Sequence, residues 1–145
     1  MTRPVTIAMV EDDEGHARLI EKNLRRAGLQ NEIVPLADGA SATNFLFGSD
    51  GSGLVNKGRP MLILLDLNLP DMSGIDILKR LKENEHLRVL PVVVLTTTDD
   101  KSEIQRCYDL GCNVYVTKPV DYQKFANAIQ QLGLFTYVMQ VPEAI

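Results

Sequence analysis

The sequence predicts an α/β domain, a parallel five-stranded sheet with helices on both faces. Three observations carry that prediction. Short apolar runs alternate along the chain with stripes of helical period. The central run, Met61 to Leu65, is apolar throughout and leads straight into Asp66, with Pro70 and Gly74 forcing a turn behind it. Unbroken apolarity between breakers marks a strand buried on both faces, because alternate side chains then each meet a layer of helices. Finally, 145 residues is the usual size of one domain and enough to bury a two-sided core.

The elements follow in order. Val5 to Val10 is a β-rich run that ends in Glu11, Asp12 and Asp13. Glu14 to Ala27 sets Ala17, Ile20, Leu24 and Ala27 on one helical stripe, and Gly28 stands where a helix stops. Asn31 to Leu36 makes the second strand. Pro35 cannot donate to a ladder, so that strand belongs at a sheet edge. A second helix over about Gly39 to Phe47 packs Ala42, Phe45 and Leu46. Gly48 to Pro60, aperiodic and rich in Gly, Ser and charge, reads as a flexible surface loop, since neither flank is large enough to be a domain alone. Beyond the Asp66 strand, Ile75, Leu78 and Leu81 mark a third helix to about Asn84. Pro91 to Leu95 is the next buried strand and ends in Thr96, Thr97 and Thr98. A fourth helix, Lys101 to Leu110, is stopped by Gly111, and Val114 to Thr117 forms the last strand, ending at Lys118 and Pro119. Asp121 caps a final helix carrying Phe125, Ala126, Ile129 and Leu132. Five βα units imply right-handed crossovers and the flavodoxin-like strand order 2-1-3-4-5, in which the strands bearing Pro35 and Lys118 are edges.

Composition excludes several functions. With 15 basic and 19 acidic residues the net charge is -4, which leaves no basic face for nucleic acid. No stretch approaches the roughly 20 apolar residues that span a bilayer, and the N-terminus lacks a signal-peptide pattern. Cys107 and Cys112 are too few for a disulfide scaffold and are expected as reduced core thiols. The expectation is a cytoplasmic protein with neither a nucleic-acid nor a membrane partner.

A parallel sheet delivers every strand's C-terminal residues to one rim, so the strand ends can be read together. They supply Glu11 and Asp12, Asp66, Thr96, and Lys118. Clustered carboxylates are unfavourable unless a cation joins them, and hard oxygen ligands with room for water are what Mg²⁺ takes. Lys118 can neutralise one carboxylate and later pair with an anion, while a threonine hydroxyl can donate to that anion. A phosphoryl group carried on an aspartate fits this set, because its transfer needs positioning and charge neutralisation above all. There is no Gly-rich phosphate loop. His16 and His86 sit at no strand end and read as surface helix or loop residues, and Asp13 reads as the start of a helix.

VEDD at Val10 to Asp13, DLNLPDMSG at Asp66 to Gly74, LTT at Leu95 to Thr97 and YVTKP at Tyr115 to Pro119 stand in order at these strand ends. Over about Val5 to Leu132 the chain thereby resembles the receiver domain of bacterial two-component response regulators. The resemblance implies that Asp66 accepts phosphate from a sensor histidine kinase. It further implies that Glu11, Asp12 and Asp66, with the Asn68 backbone carbonyl, bind Mg²⁺ or Mn²⁺, that Lys118 contacts the phosphoryl group, and that the Lys118–Pro119 peptide is cis. Thr96 and Tyr115 would be the switch pair. Thr97 departs from the alanine or serine common in its place, and its extra methyl narrows access to the phosphoryl group. VEDDEGHARLIEKNLRRAG, the long loop before Met61 and a C-terminal extension are similar to the single-domain regulators that partner phytochrome-type kinases, so a bacteriophytochrome is the implied partner.

Two other functions compete. A Mg²⁺-dependent aspartyl-phosphate phosphatase would carry a second Asp two residues after its nucleophile, where this chain has Asn68. A pseudo-receiver would have lost an acid or the lysine, and none is lost. The expected protein is therefore a switch rather than an enzyme. Its receiver domain spans 1–132, and residues 133–145 form an apolar extension that includes Leu134, Phe135, Tyr137, Val138, Met139 and Val141. Apolar surface beyond a complete core marks an interaction site, and the expectation is a homodimerisation arm.

Overall fold

The structure, a computed structural model, describes residues 2–118, 121–131 and 141–142. Strands β1 (Thr6–Val10), β2 (Ile33–Leu36), β3 (Met61–Asp66), β4 (Val92–Thr96) and β5 (Val114–Thr117) form a parallel sheet in the order β2-β1-β3-β4-β5. Helices α1 (Glu14–Arg26), α2 (Gly39–Phe47), α3 (Gly74–Glu83), α4 (Lys101–Asp109) and α5 (Tyr122–Gln131) alternate with them. This is the predicted flavodoxin-like topology, with Pro35 on edge strand β2 opposite Met9.

The period of β3 explains the two layers. Met61, Ile63 and Leu65 face one cluster with Leu46 of α2 and Ile77, Leu78 and Leu81 of α3. Leu62 and Leu64 face the other, with Ile20 and Leu24 of α1 and Ala128 of α5. The five apolar side chains of β3, Met61 to Leu65, are fully buried, each contributing about 2 kcal/mol of transfer free energy. Polar caps start the helices at the rim. Asp13 accepts from the His16 N–H, Asp38 from Ser41, Ser73 from Ile75, Asp100 from Ser102 and Asp121 from Lys124.

The segment Gly48 to Pro60, expected as a flexible loop, is built from specific turns. Leu54–Asn56 forms a 3₁₀ turn, and the Asn56 side-chain amide donates to the Phe45 and Leu46 carbonyls at 2.6 and 2.9 Å. Gly53 adopts φ +81°, and a Cβ there would lie 2.7 Å from the Asn84 side chain, so glycine serves a tight fit rather than looseness. The Gly- and Ser-rich composition is turn chemistry, which periodicity alone does not distinguish from disorder.

One pairing was not expected from the sequence. Thr2–Arg3 runs antiparallel to Val141–Pro142, with Thr2 opposite Pro142. The other residues of the proposed arm and the Lys118–Pro119 peptide lie outside the described residues, as do the side chains of Phe125 and Ile129. Among the described residues no helix is long and apolar enough to cross a membrane.

Candidate functional site

Glu11, Asp66, Thr96 and Lys118 meet at the C-terminal rim as predicted, and burial decides their chemistry. Asp66 ends β3 with only 1% of its surface exposed. Its Oδ1 accepts the Asn68 N–H at 2.9 Å, and its Oδ2 accepts from Lys118 Nζ at 2.9 Å. The same ammonium reaches Glu11 Oε1 at 2.7 Å. One lysine thus serves two buried carboxylates. Gly74 makes the close return of the chain workable, since a Cβ there would sit 2.4 Å from the Asp66 carbonyl oxygen.

The charge imbalance shows in the acidities. Burial and the adjacent Glu11 push the Asp66 carboxyl up, against the Asn68 N–H and Lys118. Burial also raises Glu11, but hydrogen bonds with Asp66, Lys118, His16 and the Asp13 N–H outweigh it and leave Glu11 lowered. Burial lowers Lys118, but its bonds to Glu11 and Asp66 raise it overall, so it remains a cation. Two acids therefore share a site in which one holds its proton readily.

Asp12 completes the acidic group from the surface side. Glu11, Asp12 and Asp66 each present a carboxylate oxygen within 4.8 Å of the others. Three hard oxygens at that spacing, two of them buried and one pushed towards protonation, fit a divalent cation that would relieve the repulsion. Asn68 lies alongside in a turn closed by its bridge to Ser73.

Thr96 ends β4 fully buried, and its Oγ1 accepts the Thr98 N–H at 3.3 Å. Tyr115 is partly buried, and its hydroxyl donates to the Thr98 carbonyl at 2.7 Å. Burial pushes its phenol up, partly opposed by the neighbouring Thr96 side chain. Both residues therefore hold the same turn after β4.

His16 differs from its expectation. It lies on α1, but its Nδ1 is 2.7 Å from Glu11 Oε1 and only 13% of its side chain is exposed. The Asp13 cap turns the first residues of α1 back over Glu11, which brings His16 to the rim without its standing at a strand end. A groove of about 430 Å³, lined by Asp13, Gly15, His16, Leu19, Thr97 and Lys118, opens beside the acids.

Residues 7–130 match the family model of the response regulator receiver domain. The chain is a response regulator receiver domain. Relatives of solved structure include a response regulator receiver domain from Rhodospirillum rubrum, 71% identical over 97% of this chain and 99% of that one, with a TM-score of 0.83. The bacteriophytochrome response regulator RtBRR is 35% identical over 99% and 82% of the two chains, with a TM-score of 0.79. The Mn²⁺-bound form of response regulator Rcp1 is 34% identical over 98% and 100%, with a TM-score of 0.74.

Proposed function

We propose that Asp66 is the phosphoacceptor of a two-component relay and that it receives its phosphoryl group from a phosphohistidine of a sensor histidine kinase. The observation that carries this reading is the buried Asp66 carboxylate, held by the Asn68 N–H and Lys118 beside two further acids. In the transfer, an Asp66 carboxylate oxygen forms a bond to phosphorus as the phosphorus–nitrogen bond of the donor breaks, and the imidazole leaves with a proton. Glu11, Asp12, Asp66 and the Asn68 backbone carbonyl would hold Mg²⁺ or Mn²⁺, which supplies charge neutralisation on the phosphoryl oxygens. Lys118 turns from its carboxylates to a phosphoryl oxygen. The Rcp1 structure is of a Mn²⁺-bound relative, which supports a divalent cation here.

The Thr96 hydroxyl donates to the new anion, and Tyr115 follows into the space released, which changes the turn that both residues hold. Similarity to RtBRR supports a bacteriophytochrome as the kinase. Residues 1–132 are the switching domain, and 133–145 are an arm that joins two copies. Tyr108 on α4, 40% exposed beside edge strand β5, offers apolar surface for that contact.

The decisive experiment incubates wild type and Asp66→Asn with Mg²⁺ and a small phosphodonor. Wild type should form an acid-stable, base-labile acyl phosphate and the variant none. Labelling of the variant equal to wild type would refute the assignment. Sedimentation of a chain ending at Leu132 tests the arm: it should be monomeric where the full chain is dimeric.

A further inference from the structure

Asp71 lies at the tip of the turn between β3 and α3, away from the three clustered acids. Its two carboxylate oxygens accept the Gly39 and Ala40 N–H groups at 2.7 and 2.9 Å. These donors open α2, where no preceding helical carbonyl is available to pair with them. Asp38 accepts the next one, from Ser41, at 2.7 Å. The turn and the helix also touch directly, since a Cβ on Gly39 would lie 2.2 Å from the Met72 Cγ. Gly39 is thus the residue that lets the Asp66 turn seat against α2.

The contact extends to the acids on both sides. On one side the turn is closed by the Asn68–Ser73 bridge and by the Gly74 N–H on the Leu67 carbonyl. On the other, the Glu11 N–H donates to the Leu36 carbonyl at 3.0 Å, just ahead of Asp38 and α2. A continuous series of ties therefore runs from Glu11 through Leu36 and the start of α2, across Asp71, to Asn68 and Asp66. We infer that Asp71 is a positioning residue for the divalent-cation site, holding the Asn68 carbonyl and the Asp66 carboxylate at their spacing from Glu11 and Asp12. This rests on the metal reading above. A small hard cation demands near-ideal ligand geometry, so a loosened turn lowers affinity even with every ligand present.

The test measures Mn²⁺ binding to the full-length protein by electron paramagnetic resonance and compares Asp71→Ala with Asp38→Ala. The second variant removes a cap from the same end of the same helix but leaves the Asp66 turn tied. Asp71→Ala should bind Mn²⁺ about tenfold more weakly than wild type, the lower end of what supporting contacts around a metal contribute. Asp38→Ala should stay within about twofold, well under that same range. Asp71→Asn keeps one acceptor oxygen and should fall between, and it decides the matter should the alanine variant not fold by circular dichroism. Wild-type affinity in the folded Asp71 variants, or an equal loss in Asp38→Ala, would overturn the inference. Failure of wild type itself to bind Mn²⁺ would instead overturn the metal reading and this inference with it.

Discussion

The two ends of the sheet handle buried polar groups in opposite ways. At the N-terminal edge side-chain amides satisfy backbone: Asn31 and Asn56 are buried, Asn84 partly buried and Asn113 exposed. Asn31 donates to the Val5 carbonyl, Asn56 to Phe45 and Leu46, and Asn84 to Ser52, while Asn113 accepts the Val92 N–H. A partly buried lysine there, Lys82, donates to the Arg88 and Leu90 carbonyls and has its pKa lowered by burial. At the C-terminal rim the buried charged groups are Glu11 and Asp66, two acids set against one lysine. The first arrangement is complete in itself, since each amide ties one segment's backbone to another without net charge. The second sets two carboxylates against one ammonium, an imbalance that a divalent cation would relieve. The difference teaches where the fold is finished and where it is held ready for a ligand.

Three measurements would break or sharpen this contrast. The largest effect should come from metal. Mg²⁺ at a hundred times its dissociation constant should stabilise wild type by about 2.7 kcal/mol in thermal or denaturant unfolding. Asp12→Ala should lose most of that gain, and Asn56→Ala should keep it. If Asp12→Ala gained as much as wild type, the rim would not be the metal site.

Next is the opposite edge. Asn56→Ala strands the Phe45 and Leu46 carbonyls, the second of them buried, and should cost about 2 kcal/mol, read as a shift in the denaturant midpoint. The two carbonyls are neutral, and the Arg59 guanidinium that reaches Asn56 Oδ1 at 3.4 Å does not titrate in this range, so the cost should be the same at pH 5 and pH 8, with or without Mg²⁺. A cost that changed with pH would mean the two edges are electrostatically linked.

The smallest effect should be the pH slope of the cation-free protein. Asp66 is raised, so its contribution to stability is full below the ordinary carboxylate value and is lost as pH rises through the raised one. Glu11 is lowered, so its contribution is present above its ordinary value and is lost as pH falls through the lowered one. The two titrate as a pair. Asp66→Asn removes the loss on the alkaline side, so without Mg²⁺ it should be the more stable protein at pH 7 and show the flatter profile above pH 5. Equal slopes for variant and wild type would show that the acids do not repel in the folded state.

Much of this was legible from residue order. The alternation of Met61 to Leu65 between two helix layers follows from strand period, and the edge place of β2 follows from Pro35. The rim set of Glu11, Asp12, Asp66, Thr96 and Lys118 follows because a parallel sheet delivers its strand ends together. His16 escaped because it lies within a helix, and reading strand ends cannot reveal a residue that a cap folds back. Gly48 to Pro60 was misread because turn glycines and linker glycines have the same composition.

The sequence by itself determined the topology and which residues stand at the strand ends, because hydrophobic period and strand termini are local properties that each segment carries alone. Only the tertiary structure decided that Lys118 bridges Glu11 and Asp66, that His16 lies on Glu11, and that Asp71 caps a helix more than thirty positions earlier in the chain. Those are contacts between segments. Their partners are chosen by where the packed layers bring the chain ends together, and a carboxylate that will cap a distant helix has the same local pattern as one that faces water.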